Sequence, residues 1–114
     1  MIVDPATAPV SGGKGLSTLQ LSVAGGITQF GAYLDTLAPG AWSGQRHWHS
    51  AEDEFLYVLD GTEPATLFLI GSRFAEDACH YPDIDLHYSR RNGFRIYAKK
   101  DGTPYPGRPK EITA

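Results

Sequence analysis

Cysteine is almost missing from this chain. Cys79 is the only one in 114 residues, so no intrachain disulfide can form. No catalytic signature surrounds it, and it reads as a buried or inert thiol rather than a nucleophile. Long apolar runs are also lacking. No stretch approaches the length needed to cross a bilayer, and Met1-Ile-Val-Asp-Pro-Ala has neither a basic region nor an apolar core of the signal-peptide kind. A cytoplasmic protein without a membrane partner is expected. Positive charge is not in excess: a net charge of -3 and a pI near 5.7 leave no footprint for nucleic acid. A sustained 3.6-residue apolar period is absent, and so is any internal repeat. The length allows one domain, burying roughly two-thirds of the surface of the unfolded chain.

What is present is the composition of a folded globular protein, 41% hydrophobic and 20% charged. Thirteen Gly and eight Pro are many for the length and predict frequent connections and few helices. Charge is uneven along the chain. Residues 1–72 hold two Lys/Arg against seven Asp/Glu, and residues 73–114 hold eight against six. The basic residues of the second part (Arg73, Arg90, Arg91, Arg95, Lys99, Lys100, Arg108, Lys110) are interleaved with acids, which favours a solvated surface over a polyanion site.

Residues 1–15 are broken by Pro5, Pro9, Gly12, Gly13 and Gly15 and read as a flexible N-terminal arm, with a single domain over 16–114. Leu16–Val23 looks extended, with Leu19, Leu21 and Val23 on one face, and Ala24-Gly25-Gly26 is a turn. Ile27–Leu37 resumes a strand until Pro39-Gly40 stops it. Glu54–Asp60 and Ala65–Ile70 are strong strand predictions, ended by Gly61 and Gly71. Residues 72–93 mix polar, aromatic and acidic types without a period, and one short strand is predicted at Phe94–Ala98. The turn-rich tail Asp101–Gly107 excludes a helix. The fold class predicted is all-β.

The segment from Gly40 to Gly61 carries the chemistry. On an extended backbone His47 and His49 point one way and Trp48 the other, so the two imidazoles can converge on one ion. Glu54 opens the next strand, sharing a face with Leu56 and Val58, where a carboxylate is costly to bury unless paired or metal-bound. Such a mixed N/O set suits a divalent transition metal: Fe, Mn, Ni, Zn or Cu. Taken alone the spacing is weak, because His-x-His arises by chance in about one chain in ten of this composition. Two surface histidines beside a turn explain it equally well. Trp42, Trp48, Phe55 and Tyr57 surround the segment and read as core or interface packing. Within Glu52-Asp53-Glu54, the first two read as a solvated bend.

Gly40, six residues, His47-x-His49, four residues, Glu54, six residues and Gly61 resembles the first signature motif of the cupin superfamily, with one extra residue before the first histidine. Gly26-Ile-Thr-Gln-Phe-Gly, Leu37-Ala-Pro-Gly-Ala-Trp-Ser, Gln45–Phe55, His80–Tyr88 and Lys100–Pro106 resemble a group of bacterial single-domain cupins. The resemblance spans roughly residues 16–107. It implies a jelly-roll type of β-sandwich or barrel, with His47, His49 and Glu54 as metal ligands. A third histidine from a second motif usually completes the set.

That second motif is missing. Gly61 runs directly into Thr62-Glu63-Pro64-Ala65, which resembles the segment that normally follows it, so the middle strands of the barrel have been lost. His80 and His87 are then the only other histidines; they read as structural or surface groups, with a ligand role in the same or another subunit as the alternative. Lost strands leave unpaired edges, which a partner has to cover. The fold expected is therefore a truncated cupin completed as a homo-oligomer, a dimer or higher. Two functional readings follow. One is a metal-capable cupin that also takes a small polar molecule, its enzymatic status left open. The alternative is a non-enzymatic small-molecule-binding or protein-interaction module with an incomplete or empty metal site.

Overall fold

A computed structural model describes residues 2–91 and 94–107. The Arg108 and Lys110 members of the basic set lie outside the described residues. The chain is mostly β, in two antiparallel sheets, and falls into two compact units.

The first unit takes in the residues up to Ser43 together with Asp53–Arg73. Its strands are β1 (Val10–Gly13), β2 (Leu16–Gln20), β3 (Phe30–Leu37), β5 (Glu54–Asp60) and β6 (Ala65–Ser72), in the order β1-β2-β3-β6-β5. The stretch read as a flexible arm carries two elements. Pro5–Thr7 form a 3-10 turn capped by the Asp4 carboxylate, and β1 pairs with β2. Lys14 and Gly15, both at positive φ, make the two-residue turn whose twist matches that of the strands it joins. Beyond β2 the extended reading fails: Leu21–Ala24 form the short helix α1. The apolar spacing of Leu19, Leu21 and Val23 had suggested continuous alternation, but the buried Ser22 belongs to a helical turn.

β3 and β6 pair over their full length, Phe30↔Ser72 to Leu37↔Ala65. This places Ala32 and Leu67 among the buried apolar residues and leaves Asp35 buried in mid-strand, where Thr18 Oγ1 donates to it at 2.7 Å. That bond offsets the cost of removing the carboxylate from water. β5 is an outer strand of the sheet, joined to β6 from Glu54↔Gly71 to Asp60↔Thr66 with an irregularity between Val58 and Asp60.

The second unit takes in Gly44–Glu52 and the residues from Phe74 on. Its sheet runs β4 (Trp48–His49), β7 (Asp77–Tyr81), β8 (Leu86–Arg91) and β9 (Phe94–Ala98), in that order. β9 coincides with the predicted strand; β7 and β8 lie in the stretch that showed no period. The reason lies across the strands rather than along them. Polar side chains in β7 and β8 are satisfied by partners on neighbouring strands, so the sequence does not alternate cleanly. Cys79, Tyr81 and Leu86 form the buried cluster of this unit, with Ile84, Tyr88, Tyr97 and Tyr105 packed on it. Tyr105 Oη donates to the Ile84 carbonyl at 2.9 Å, which ties down the tail.

Candidate metal centre

The β4–β7 ladder positions the candidate site. Trp48 pairs with His80 and His49 with Cys79, and alternation puts the two pairs on opposite faces. On the first face lie His49, Asp77 and Cys79. His47, which precedes the strand, stands over the same side with its ring centroid 5.1 Å from that of His49 and 4.9 Å from that of Tyr81. The two predicted histidines are thus brought together.

Each imidazole is held by one nitrogen. His47 Nδ1 is 2.6 Å from the Gln45 carbonyl oxygen and His49 Nδ1 is 2.7 Å from Asp77 Oδ2. Neither oxygen can donate, so both Nδ1 atoms carry the proton. A neutral ring so fixed has its lone pair on Nε2.

Asp77 is anchored in turn. Its Oδ1 accepts the Ala51 and Glu52 amides at 3.0 and 3.2 Å. Burial pushes its carboxyl up, but the bonds from His49 and the two amides outweigh that and hold it below the usual carboxylate range. Cys79 Sγ lies 3.2 Å from His49 Nδ1 and 3.8 Å from Asp77 Oδ2. His49, Asp77 and Cys79 offer ligand atoms within 4.8 Å of one another and are themselves a group able to hold an ion. The 2.7 Å separation is that of a charge-assisted hydrogen bond and is shorter than two donors on one first-row ion adopt, about 2.9 Å or more. In this state the trio is an outer brace for His49.

Glu52 belongs to this region as well. Its Oε2 takes Arg90 Nη2 at 2.6 Å and the Phe74 amide at 2.9 Å, and its Oε1 lies 3.8 Å from His49 Nδ1. The expectation of a solvated bend is corrected on this residue: its side chain is only 11% exposed. Glu54, the third predicted ligand, opens β5 in the other compact unit, with an exposed side chain. The aromatic residues Trp42, Trp48, Phe55 and Tyr57 are all more than half exposed, so core packing is excluded for them.

His80 and His87 face one another on the second side of the ladder, Nδ1 to Nδ1 at 3.0 Å, and Trp48 stacks on His80. Burial and the His87 charge both push His80 below the usual imidazole value, against an upward pull from Asp77. Neither histidine stands on the face of His49. Sequence reasoning missed Asp77, Cys79 and Glu52; the signal within reach was Asp77-x-Cys79, which repeats the two-residue spacing of His47-x-His49.

Comparison with known proteins bears on the fold. Residues 33–71 match the family model described as a cupin domain. A crystal structure described as a sugar phosphate isomerase from a cupin superfamily, from Silicibacter pomeroyi, superposes with a TM-score of 0.81 at 25% identity, covering 93% of this chain and 97% of that one. The chain shares the fold of that cupin, and its match to the cupin-domain model spans residues 33–71. A candidate sugar phosphate isomerase from Acidithiobacillus ferrooxidans shares the fold, with a TM-score of 0.73 at 20% identity over 90% of each chain. No curated protein matches the chain. Among the described residues no helix is long and apolar enough to cross a membrane.

Proposed function

We propose that this chain is a metal-dependent cupin in which His47, His49 and Glu54 hold a divalent transition metal (Fe, Mn, Ni, Zn or Cu), with a small polar molecule as its ligand. The observation that carries the reading is the pair of Nδ1 hydrogen bonds at 2.6 and 2.7 Å. They fix both rings in the tautomer that a metal ligand needs, and a carboxylate behind a histidine is the usual outer support of such a ligand. Glu54 enters as the anionic ligand through its place in the motif. A bound ion would supply Lewis acidity, polarising an oxygen of the small molecule. The chain's own contribution is to orient His49 through Asp77 and to keep that brace away from water.

The Silicibacter structure favours a phosphorylated sugar as the small molecule and isomerisation as the reaction. The second reading, a binding module without turnover, is favoured by one specific feature. His80 and His87, the only histidines available to replace the missing ligand, are turned towards each other. The protein is further proposed to act as a homo-oligomer in the cytoplasm, a reducing compartment that suits a chain with one buried thiol.

The decisive experiment is elemental analysis of protein purified without a metal-affinity tag, followed by assay of aldose–ketose interconversion on small sugar phosphates. Close to one transition-metal equivalent per chain, lost in His49→Ala, supports the metal site. Less than a tenth of an equivalent overturns it. Metal without turnover, but with thermal stabilisation by a sugar phosphate, selects the binding module.

A further inference from the structure

The second face of the β4–β7–β8 ladder carries a group of side chains that the site above does not use. His80 and His87 are direct cross-strand partners. Their rings meet edge to face, with centroids 4.5 Å apart at an interplanar angle of 86° and Nδ1 atoms 3.0 Å apart. The Ser50 hydroxyl sits 3.1 Å from the opposite nitrogen, His80 Nε2. Trp48 lies flat against His80, centroids 4.8 Å apart and 22° from parallel, with its indole more than half exposed.

We propose that His80 and His87 form a second metal site, a cross-strand bis-imidazole chelate for a divalent ion of square-planar or octahedral preference, Cu(II) foremost and Ni(II) next. Two nitrogens bound at about 2.0–2.1 Å and at right angles on one ion lie about 2.9 Å apart, whereas a tetrahedral ion separates them by about 3.4 Å. The 3.0 Å found here matches the right-angled separation, so the two strands keep their register while the rings turn to bring both lone pairs onto the ion. Cu(II) also heads the order of divalent affinities for nitrogen donors.

The tautomers are consistent with this use. With Nε2–H of His80 donating to Ser50 Oγ, the lone pair of His80 is on Nδ1 and points at His87. Without an ion His87 Nδ1–H donates to that lone pair. When the ion enters, the His87 proton is exchanged through solvent from Nδ1 to Nε2, and no net proton is released. Ser50 then stands behind His80 as an oxygen stands behind each histidine of the first site. The two sites sit on opposite faces of the ladder, so this inference does not depend on the proposed function.

Trp48 supplies the readout, since a paramagnetic Cu(II) on His80 quenches an indole stacked on that ring. In a Trp42→Phe chain, which leaves Trp48 as the only tryptophan, Cu(II) titration is expected to give saturable quenching. His87→Ala weakens it at least tenfold, and His49→Gln leaves its midpoint within twofold. An unchanged midpoint in His87→Ala, or loss in His49→Gln with His87 intact, overturns the proposal. Should circular dichroism show His49→Gln unfolded, electron paramagnetic resonance of copper-loaded Trp42→Phe protein decides. Loss of one nitrogen coupling on His87→Ala supports the chelate, and identical spectra overturn it.

Discussion

At the scale of the residue, the chemistry turns on one proton on His49. Asp77 Oδ1 is committed to two backbone amides, so in Asp77→Asn the amide oxygen stays there and the NH2 group faces His49 Nδ1. A donor in that place forces the ring to accept at Nδ1 and to carry its proton on Nε2, the nitrogen a metal needs. Metal affinity, read by competition with a chelator, is expected to fall between about 10- and 100-fold while the far-ultraviolet dichroism is kept. Unchanged affinity would separate Asp77 from the site. Asp77 also sets an acid limit on the metal-free protein. Its folded value lies below its ordinary 3.8, so the folded state binds this proton less readily than the unfolded one. The associated stability is full above about pH 3.8 and is lost as the pH falls through the lower folded value. Urea midpoints should therefore drop on acidification more in the native sequence than in Asp77→Asn. The two histidines were legible because strand alternation is a local rule. Asp77 and Cys79 were not: they stand 28 and 30 residues from His49, and only the β4–β7 register brings them there.

At the scale of the element, Glu54–Asp60 and Ala65–Ile70 were readable because apolar, β-branched and aromatic residues fill them. β7 and β8 were not, since Asp77, His80, His87 and Arg90 look like loop residues until their cross-strand partners are known. Glu52 and Arg90 show what such a pairing is worth. The guanidinium bridges the Glu52 carboxylate at 2.6 Å and the Phe74 carbonyl at 2.7 Å, joining the bend before β5 to β8. With Arg90 about a third exposed, a charge-assisted bond of this type is discounted to about 1–2 kcal/mol. Arg90→Ala should lower the unfolding free energy by about that amount in urea titration, and Arg90→Lys should recover only part of it, because both bonds leave the terminal Nη2, a position that the shorter lysine stem does not reach. A loss below about 0.3 kcal/mol would mark the pair as a solvated surface contact.

At the scale of the whole molecule, one strand presents an open, apolar edge. Phe55, Leu56, Tyr57, Val58 and Leu59 run consecutively along β5, each between 47% and 59% exposed. The strand pairs with β6 alone among the described residues. Lys and Pro, which commonly blunt such an edge, are absent from it. Half-exposed side chains of this size present on the order of 500 Å² per copy, near the lower limit of a specific two-chain interface once doubled. A second copy fits best because a strand paired antiparallel with itself about Tyr57 sets Phe55 against Leu59 and Leu56 against Val58, which satisfies both free backbones at once. Glu54 and Asp60 then fall at the rim, where water screens them. Light scattering at micromolar concentration should therefore report a dimer or larger assembly. Tyr57→Lys, which puts two ammonium groups face to face at the symmetry axis, should shift it towards monomer with the metal content unaltered. A monodisperse monomer of the native sequence, still folded and soluble at that concentration, would mean that the exposed strand tolerates water without a partner.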